Sequence, residues 1–279
     1  MSRKKLWRLL TSKHPRILVG GSVLLTVIIL AISAPLLAPH SPIEQNLRLS
    51  LRNRTEGYPL GTDEFGRCIF SRILYGARIS LQVGVVAVGI GAFIGGLIGL
   101  MAGVYGGVLE SVLMRLMDVM LAIPGILLAI AIVAALGPGM LNVMLAVGIS
   151  SVPSYARLVR GSVLSVREKE YVEAAQAVGA PTGHVARRHI LPNVMAPVLV
   201  VASMQMGSAI LAAAGLSFIG LGAQAPTPEW GAMLSRGREF LRIAPHVATY
   251  PGLAIFITVM GFNFFGDGLR DLLDPRLKT

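Results

Sequence analysis

Ile79-Ser-Leu-Gln-Val-Gly-Val-Val-Ala-Val-Gly-Ile-Gly-Ala-Phe-Ile-Gly-Gly-Leu-Ile-Gly-Leu-Met-Ala-Gly103 runs for 25 residues without a charge. About 20 apolar residues in a helix cross the hydrocarbon core of a bilayer. In water, a helix apolar on every side would need protein around its whole circumference. The rest of the chain does not provide such a coat. Of its 279 residues, 54% are hydrophobic and only 14% charged, where a soluble domain carries about 25%. With a mean hydropathy of +0.69, the chain reads as an all-α integral membrane protein.

Working outward, charges punctuate the sequence and the gaps between them mark spans. The gap around the opening stretch extends from Ile79 to Leu109, with its apolar core at 79–103. Before it, 17–38 is charge-free and forms a first span after a basic tail, residues 1–16. Arg3, Lys4, Lys5 and Arg8 ahead of an apolar core, with Ala31-Ile-Ser33 behind, also fit a secretory signal, but the apolar run continues past that point and favours an uncleaved anchor. After it, the gap from Val119 to Ala156 is too long for one helix and breaks at Leu136-Gly-Pro-Gly139. That gives spans near 112–136 and 140–156, the former carrying Arg115 and Asp118 in its opening turns. A fifth covers about 195–217 and a sixth about 249–266. The expectation is a single transmembrane domain of six helices.

The net charge of +11 does not indicate nucleic acid, because no basic stripe is interleaved with aromatics. The cations lie in loops and tails. With the amino end inside, the cytoplasmic segments hold 16 Lys and Arg and the outer ones 9, a bias that puts both termini in the cytoplasm.

Chemistry-bearing constellations are sparse. Cys68 is the sole cysteine, so neither an intramolecular disulfide nor a cysteine metal site is available. The five histidines lie outside the apolar cores, and His184 and His189, five residues apart, are about 140° out of phase on an α-helix. A protein-built metal site is not expected. Asp118 stands three residues from Arg115, which suggests a structural pair or a carboxylate reaching the interface. No chain of buried acids and histidines suggests a proton relay, and no Gly-x-x-x-x-Gly-Lys-Ser/Thr loop could hold a nucleotide. A secondary transporter would want broken repeats or intramembrane charges. An intramembrane enzyme would want a base at membrane depth. Beyond Asp118 neither pattern is present, and no cofactor is expected in this chain. Gly91, Gly95, Gly99 and Gly103 recur every fourth residue and suit the close approach of a second helix.

The informative loop is 157–193. Within Glu168-Lys-Glu-Tyr-Val-Glu-Ala-Ala-Gln-Ala-Val-Gly179, Tyr171, Val172, Ala175 and Val178 recur at helical spacing. A short amphipathic helix is expected there, with Ala174, Ala175 and Ala177 offering room for a partner and Gly179 ending it. From the residues alone, an interfacial helix and a partner-docking helix both remain open.

The same loop resembles the EAA loop of ABC importer permeases: Glu173-Ala-Ala, three residues, Gly179, then Leu191-Pro192 in register. Where that pattern usually has isoleucine, this chain has His189. Leu60-Gly-Thr-Asp-Glu-Phe-Gly-Arg67, Ser71-Arg72, Gly76-Ala-Arg78, Leu216-Ser-Phe-Ile-Gly-Leu-Gly222, Pro226-Thr-Pro-Glu-Trp-Gly231 and Phe262–Asp271 with Asp274-Pro275 are similar to the C-type permease of dipeptide, oligopeptide and nickel importers. That family usually carries aspartate at the position of Cys68.

The resemblance implies the type I ABC importer permease (MetI-like) fold and a non-enzymatic subunit of a bacterial inner-membrane importer. A different, homologous permease would complete the pore. Two cytoplasmic ATPase subunits would supply ATP and Mg chemistry. The segment 157–193 would be the coupling loop, with Tyr171, Glu173, Ala174, Ala175, Gly179, Leu191 and Pro192 at the docking face and Glu173 fixing the loop by a hydrogen bond or ion pair. An extracytoplasmic binding protein would contact 39–78 and 218–248. Peptides are the expected solute, with a nickel chelate, glutathione or an opine-like compound as alternatives.

Overall fold

The computed structural model describes residues 15–273; most of the basic tail and Asp274-Pro275 lie outside them. Among the described residues no strand forms, and two isolated bridges, Thr55–Tyr58 and Thr62–Cys68, are the only extended pairings. The chain is built from α1 (Pro15–Ile32), α2 (Ile69–Tyr105), α3 (Gly107–Leu121), α4 (Gly125–Leu136), α5 (Met140–Arg167), α6 (Glu170–Ala177), α7 (Thr182–Phe218), α8 (Trp230–Gly237) and α9 (His246–Leu273). Most run beyond the charge-free gaps. Helical hydrogen bonding continues where apolarity stops, so the polar ends of α2, α5, α7 and α9 project from the apolar layer.

Four helices, α1, α2, α7 and α9, are long and apolar enough to cross a membrane, and the bent pair α3–α4 brings the number to five. The expected span at 112–136 is not one helix. It breaks at Ala122–Pro124 with a bend of 90°. Pro124 lacks an N–H and biases Ile123 away from helical geometry, and Gly125 restarts the helix. At 15 and 12 residues, α3 and α4 reach about 22 and 18 Å, each short of the roughly 30 Å hydrocarbon core. Helix α5 is long, at 28 residues, yet too polar to pass as an apolar span; its serines and arginines explain that.

The core is two-sided. Around α5, Val83, Ala87, Val133, Val143, Ala146, Tyr155 and Leu216 form one buried cluster. Around Trp230, residues Ile69, Ala77, Ala214, Met233 and Val247 form another. Helix α1 lies along α9.

The glycine stripe of α2 faces α5. A Cβ at Gly91 would strike Ser151 and Tyr155, one at Gly95 the Val152 carbonyl, and one at Gly99 the Ala156 carbonyl; at Gly103 it would sit 2.7 Å from Val163 Cβ. A π turn over Gly91–Gly95 keeps all four on that side. Gly89 and Gly96, off the stripe, would meet nothing within 4 Å.

Asp118 does not pair with Arg115. Its carboxylate accepts from Arg157 Nη2 at 2.6 Å, because α3 packs beside α5 and presents Asp118 across the helix interface rather than along its own face. Glu110 repeats the arrangement with Arg160, at 2.5 Å.

Candidate functional site

At one end of the bundle, α6 is pinned by a single apolar residue. Val172 is wholly buried in a cluster with Val104, Val159, Val163, Val185, Ile190 and Val194. Arg167 Nη1 reinforces the joint by donating to the Gly103 carbonyl at 2.7 Å. The four-residue stripe expected along α6 is only half inward. Val172 and Ala175 turn to the bundle, whereas Tyr171 is 46% and Val178 85% exposed. An eight-residue helix at 100° per residue can bury only about one residue per turn, and Val172 takes that place.

The outward face carries Glu173, Ala174 and Ala177. Glu170 and Glu173 occupy the first turn, where the helix dipole favours carboxylates. Among the described residues Glu173 takes part in no ion pair, and within this chain Val172 seats α6 on the bundle. Gly179 ends the helix at φ +83° with open space around it, a conformation that costs other L-residues about 1–2 kcal/mol.

His184 and His189 are brought together after all, with ring centroids 6.2 Å apart, and Tyr171 lies 6.1 Å from His189. The cause is a π turn at Ala186–Ile190, whose i+5 closure returns residue 189 to the face of residue 184. Pro192, which has no N–H to offer residue 188, follows directly and accounts for the widened turn. Leu191 and Pro192 are exposed at the start of the regular helix that follows, on the same flank as α6. Among the described residues no group of three metal-ligating side chains occurs.

At the other end, residues 39–68 fold into a platform centred on Asp63. Its Oδ1 accepts from the Phe65 and Arg67 amides, both at 2.9 Å, and its Oδ2 from Arg67 Nε at 2.6 Å. Arg72 Nε stands 3.5 Å away, and Arg72 Nη1 donates to the Pro42 and Pro226 carbonyls. Glu64 joins Arg67 to Arg236 of α8. Asp63, Arg67 and Arg72 are all buried, so the loop, α2 and the segment before α8 are tied by fully desolvated charge. Glu229, also buried, caps α8 by accepting from the Gly231 and Ala232 amides at 2.9 and 2.8 Å. Burial raises its carboxyl above the ordinary 4.5, with those amides and the Ser217 hydroxyl acting the other way. The motif that contains Asp63, Arg67 and Arg72 was visible in sequence; their convergence on Arg236 and Pro226 was not.

Between the two ends, a cleft of about 200 Å³ opens among α2, α5 and α7, lined on its polar side by Ser150, Ser151, Ser154, Gln205 and Ser208. Serines are unremarked in a linear reading, since each is neutral and helix-compatible. Only the convergence of two helix faces marks them.

Two family models match separate parts of the chain. Residues 95–279 match the binding-protein-dependent transport system inner membrane component, and residues 5–53 the N-terminal transmembrane domain of oligopeptide transport permease C. The dipeptide transport system permease DppC of Alkalihalophilus pseudofirmus is 49% identical over 96% of this chain and 88% of its own. The glutathione transport system permease GsiD of Salmonella typhimurium is 50% identical over 99% of this chain and 91% of its own. In fold, the chain is similar to a chain of the MetNI methionine ABC transporter in an inward-facing conformation, with a TM-score of 0.58, 20% identity, and coverage of 72% of this chain and 96% of that one. An EAA-type helix pinned under the bundle, a polar cleft inside it and this family match agree, and the chain belongs to the inner-membrane permeases of binding-protein-dependent ABC importers, which are not catalytic and leave ATP hydrolysis to separate subunits.

Proposed function

We propose that this chain is half of the translocation pore of an ATP-driven importer of di- and oligopeptides or glutathione. The observation that carries the reading is α6: one buried valine fixes it to the bundle, while Glu173, Ala174 and Ala177 remain free on the outer face. A helix seated on the bundle by one side and bare on the other leaves a face for a partner to take up. In this reading Tyr171, Glu173, Ala174, Gly179, Leu191 and Pro192 meet a groove of a cytoplasmic ATPase, two copies of which bind ATP and Mg, while Ala175, expected on that face, packs toward the bundle. Glu173 finds its partner there.

The topology we propose has both termini cytoplasmic and six crossings. The polar α5 counts as one of them, tolerated at membrane depth because it faces the path rather than lipid. The bent pair α3–α4 counts as another. A homologous second permease closes the pore, and a binding protein delivers the solute to the platform of 39–68 and the segment before α8. Peptides are favoured as solute by relatives named for dipeptide and glutathione transport. A nickel chelate or an opine-like compound is the alternative within the same architecture.

The test is affinity purification of the tagged chain from mild detergent with mass spectrometry, paired with uptake of a dipeptide by a deletion strain. Co-elution of a second permease and P-loop ATPases, with uptake lost on deletion, is the expected result. A chain that elutes alone after gentle crosslinking would overturn the reading.

A further inference from the structure

We propose that the cleft of Ser150, Ser151, Ser154, Gln205 and Ser208 is this chain's share of the solute path, and that it holds the amide backbone of the solute through uncharged hydrogen-bonding groups. The proposal rests on the importer reading above. It goes further by naming the residues and the chemistry of recognition.

Position comes first. The five residues sit on the middle of α5 and α7, remote from the platform and from α6. Polar side chains facing lipid at such depth are costly, and this bundle places five on one side of one cavity. The contrast within the molecule is sharp. A larger groove, of about 500 Å³, between α1, α2 and α9 is walled by Val23, Leu30, Ile73, Leu253 and Ile257, a surface suited to acyl chains. Ser22, Thr26, Tyr250 and Thr258 also border that groove, but aliphatic side chains dominate it, so the two cavities differ in the chemistry they offer.

Chemistry comes second. The Ser150 and Ser151 hydroxyls donate to the Val147 and Gly148 carbonyls of their own helix, at 2.9 and 2.7 Å. This leaves their lone pairs as acceptors toward the cleft. Ser154 and Ser208 are exposed and Gln205 half-buried, so a solute can reach them. A glutamine amide presents one acceptor and two donors, the complement of a peptide unit with its one donor and one acceptor. No ionisable residue lines the cleft. Such a lining is indifferent to side-chain charge on the solute, and its hold is weak enough for release, as conduction requires. A volume of about 200 Å³ is room for about six waters, a space that a second permease would complete on the open side.

The chain lends itself to a thiol test because Cys68, its sole cysteine, is 1% exposed. In a Cys68→Ser background, reconstituted with the subunits that co-purify, Ser154→Cys and Ser208→Cys are treated with a membrane-impermeant cationic methanethiosulfonate. Both should react, and uptake of a dipeptide should stop once they do. Ile257→Cys, in the apolar groove, should react only with a lipid-soluble maleimide. If the cleft cysteines behave like Ile257→Cys, the cleft is a lipid or protein contact and the path runs elsewhere. Labelling is read without solute, so it judges the path even if the parent imports no dipeptide, an outcome that would fault the peptide reading instead. Gln205→Leu should raise KM about three- to tenfold, the weight of one neutral hydrogen bond, equally for acidic, basic and neutral dipeptides and with kcat little changed. A change confined to charged dipeptides, or none, would overturn amide recognition.

Discussion

Substituting alanine at Gly99 and, separately, at Gly96 isolates what the stripe on α2 does. Both glycines are helical and three residues apart, so replacing either gains about 1 kcal/mol of helix propensity. Their surroundings differ. A Cβ at Gly96 meets nothing within 4 Å, whereas one at Gly99 falls on the Ala156 carbonyl and lies 2.9 Å from Val159 Cβ and 3.0 Å from Arg160 N. Two of those three obstacles are backbone and cannot swing aside. Overpacking of this kind costs about 1–3 kcal/mol, which cancels or exceeds the propensity gain. The two variants should therefore differ by about 2 kcal/mol in favour of Gly96→Ala. At about 2–4 °C per kcal/mol for chains near this size, the midpoint of thermal unfolding should separate by about 4–8 °C. Fluorescence-detected size exclusion of the detergent-solubilised complex after heating reads this directly. Equal midpoints, or Gly99→Ala the more stable, would refute the claim that α2 and α5 meet through backbone at this stripe.

Glu173→Lys and Gly179→Glu should each abolish uptake while the chain reaches the membrane in normal amount, checked by immunoblot and transport; normal uptake in either would remove α6 from coupling. Arg67→Met removes the nearest cation from the buried Asp63 carboxylate, leaving Arg72 at 3.5 Å and two backbone amides, and should destabilise by up to about 3–5 kcal/mol, with Asp63→Asn added to it restoring part of the loss. Proteolysis of the 39–68 loop is the readout, and an unchanged digestion rate in Arg67→Met would discredit the ionic platform. Glu229 is held above 4.5 by burial, so the folded state favours its protonated form. Its contribution is full in acid and declines as pH rises through the folded value. Glu229→Gln should flatten that slope in thermal unfolding measured from acidic to neutral pH, and an identical slope in the variant would exclude Glu229 as its source.

The legible and illegible parts of this molecule divide along physical lines. Charge-free gaps located α1, α2, α7 and α9 because the cost of placing charge in hydrocarbon acts on every residue of a span separately. The glycine period of α2 and the amphipathic stretch at 170–178 were readable for a similar reason: each is a rhythm within one helix. The Pro124 break in 112–136 lay in plain sight, yet charge gaps outweighed it, since an apolar run conceals a bend that leaves apolarity unchanged. Asp118 meets Arg157, 39 positions away, a partner that i,i+3 spacing along one helix cannot show. His184 and His189 seemed out of phase only on the assumption of an α-helical turn.

What the sequence alone determined is the solvent, the order of most apolar helices, the family and the presence of a short helix in the loop 157–193. The solvent and the helices follow from transfer free energies and local periodicity, which are summed along the chain, whereas the family follows from the resemblance of its motifs. Only the tertiary structure decided which faces meet: the stripe of α2 against α5, Arg67 and Arg72 around Asp63, and the serines of α5 opposite Gln205 and Ser208 of α7. Those pairings depend on helix packing and crossing between distant segments, and serine or glutamine in an apolar run has no meaning until a second helix brings another polar face opposite it.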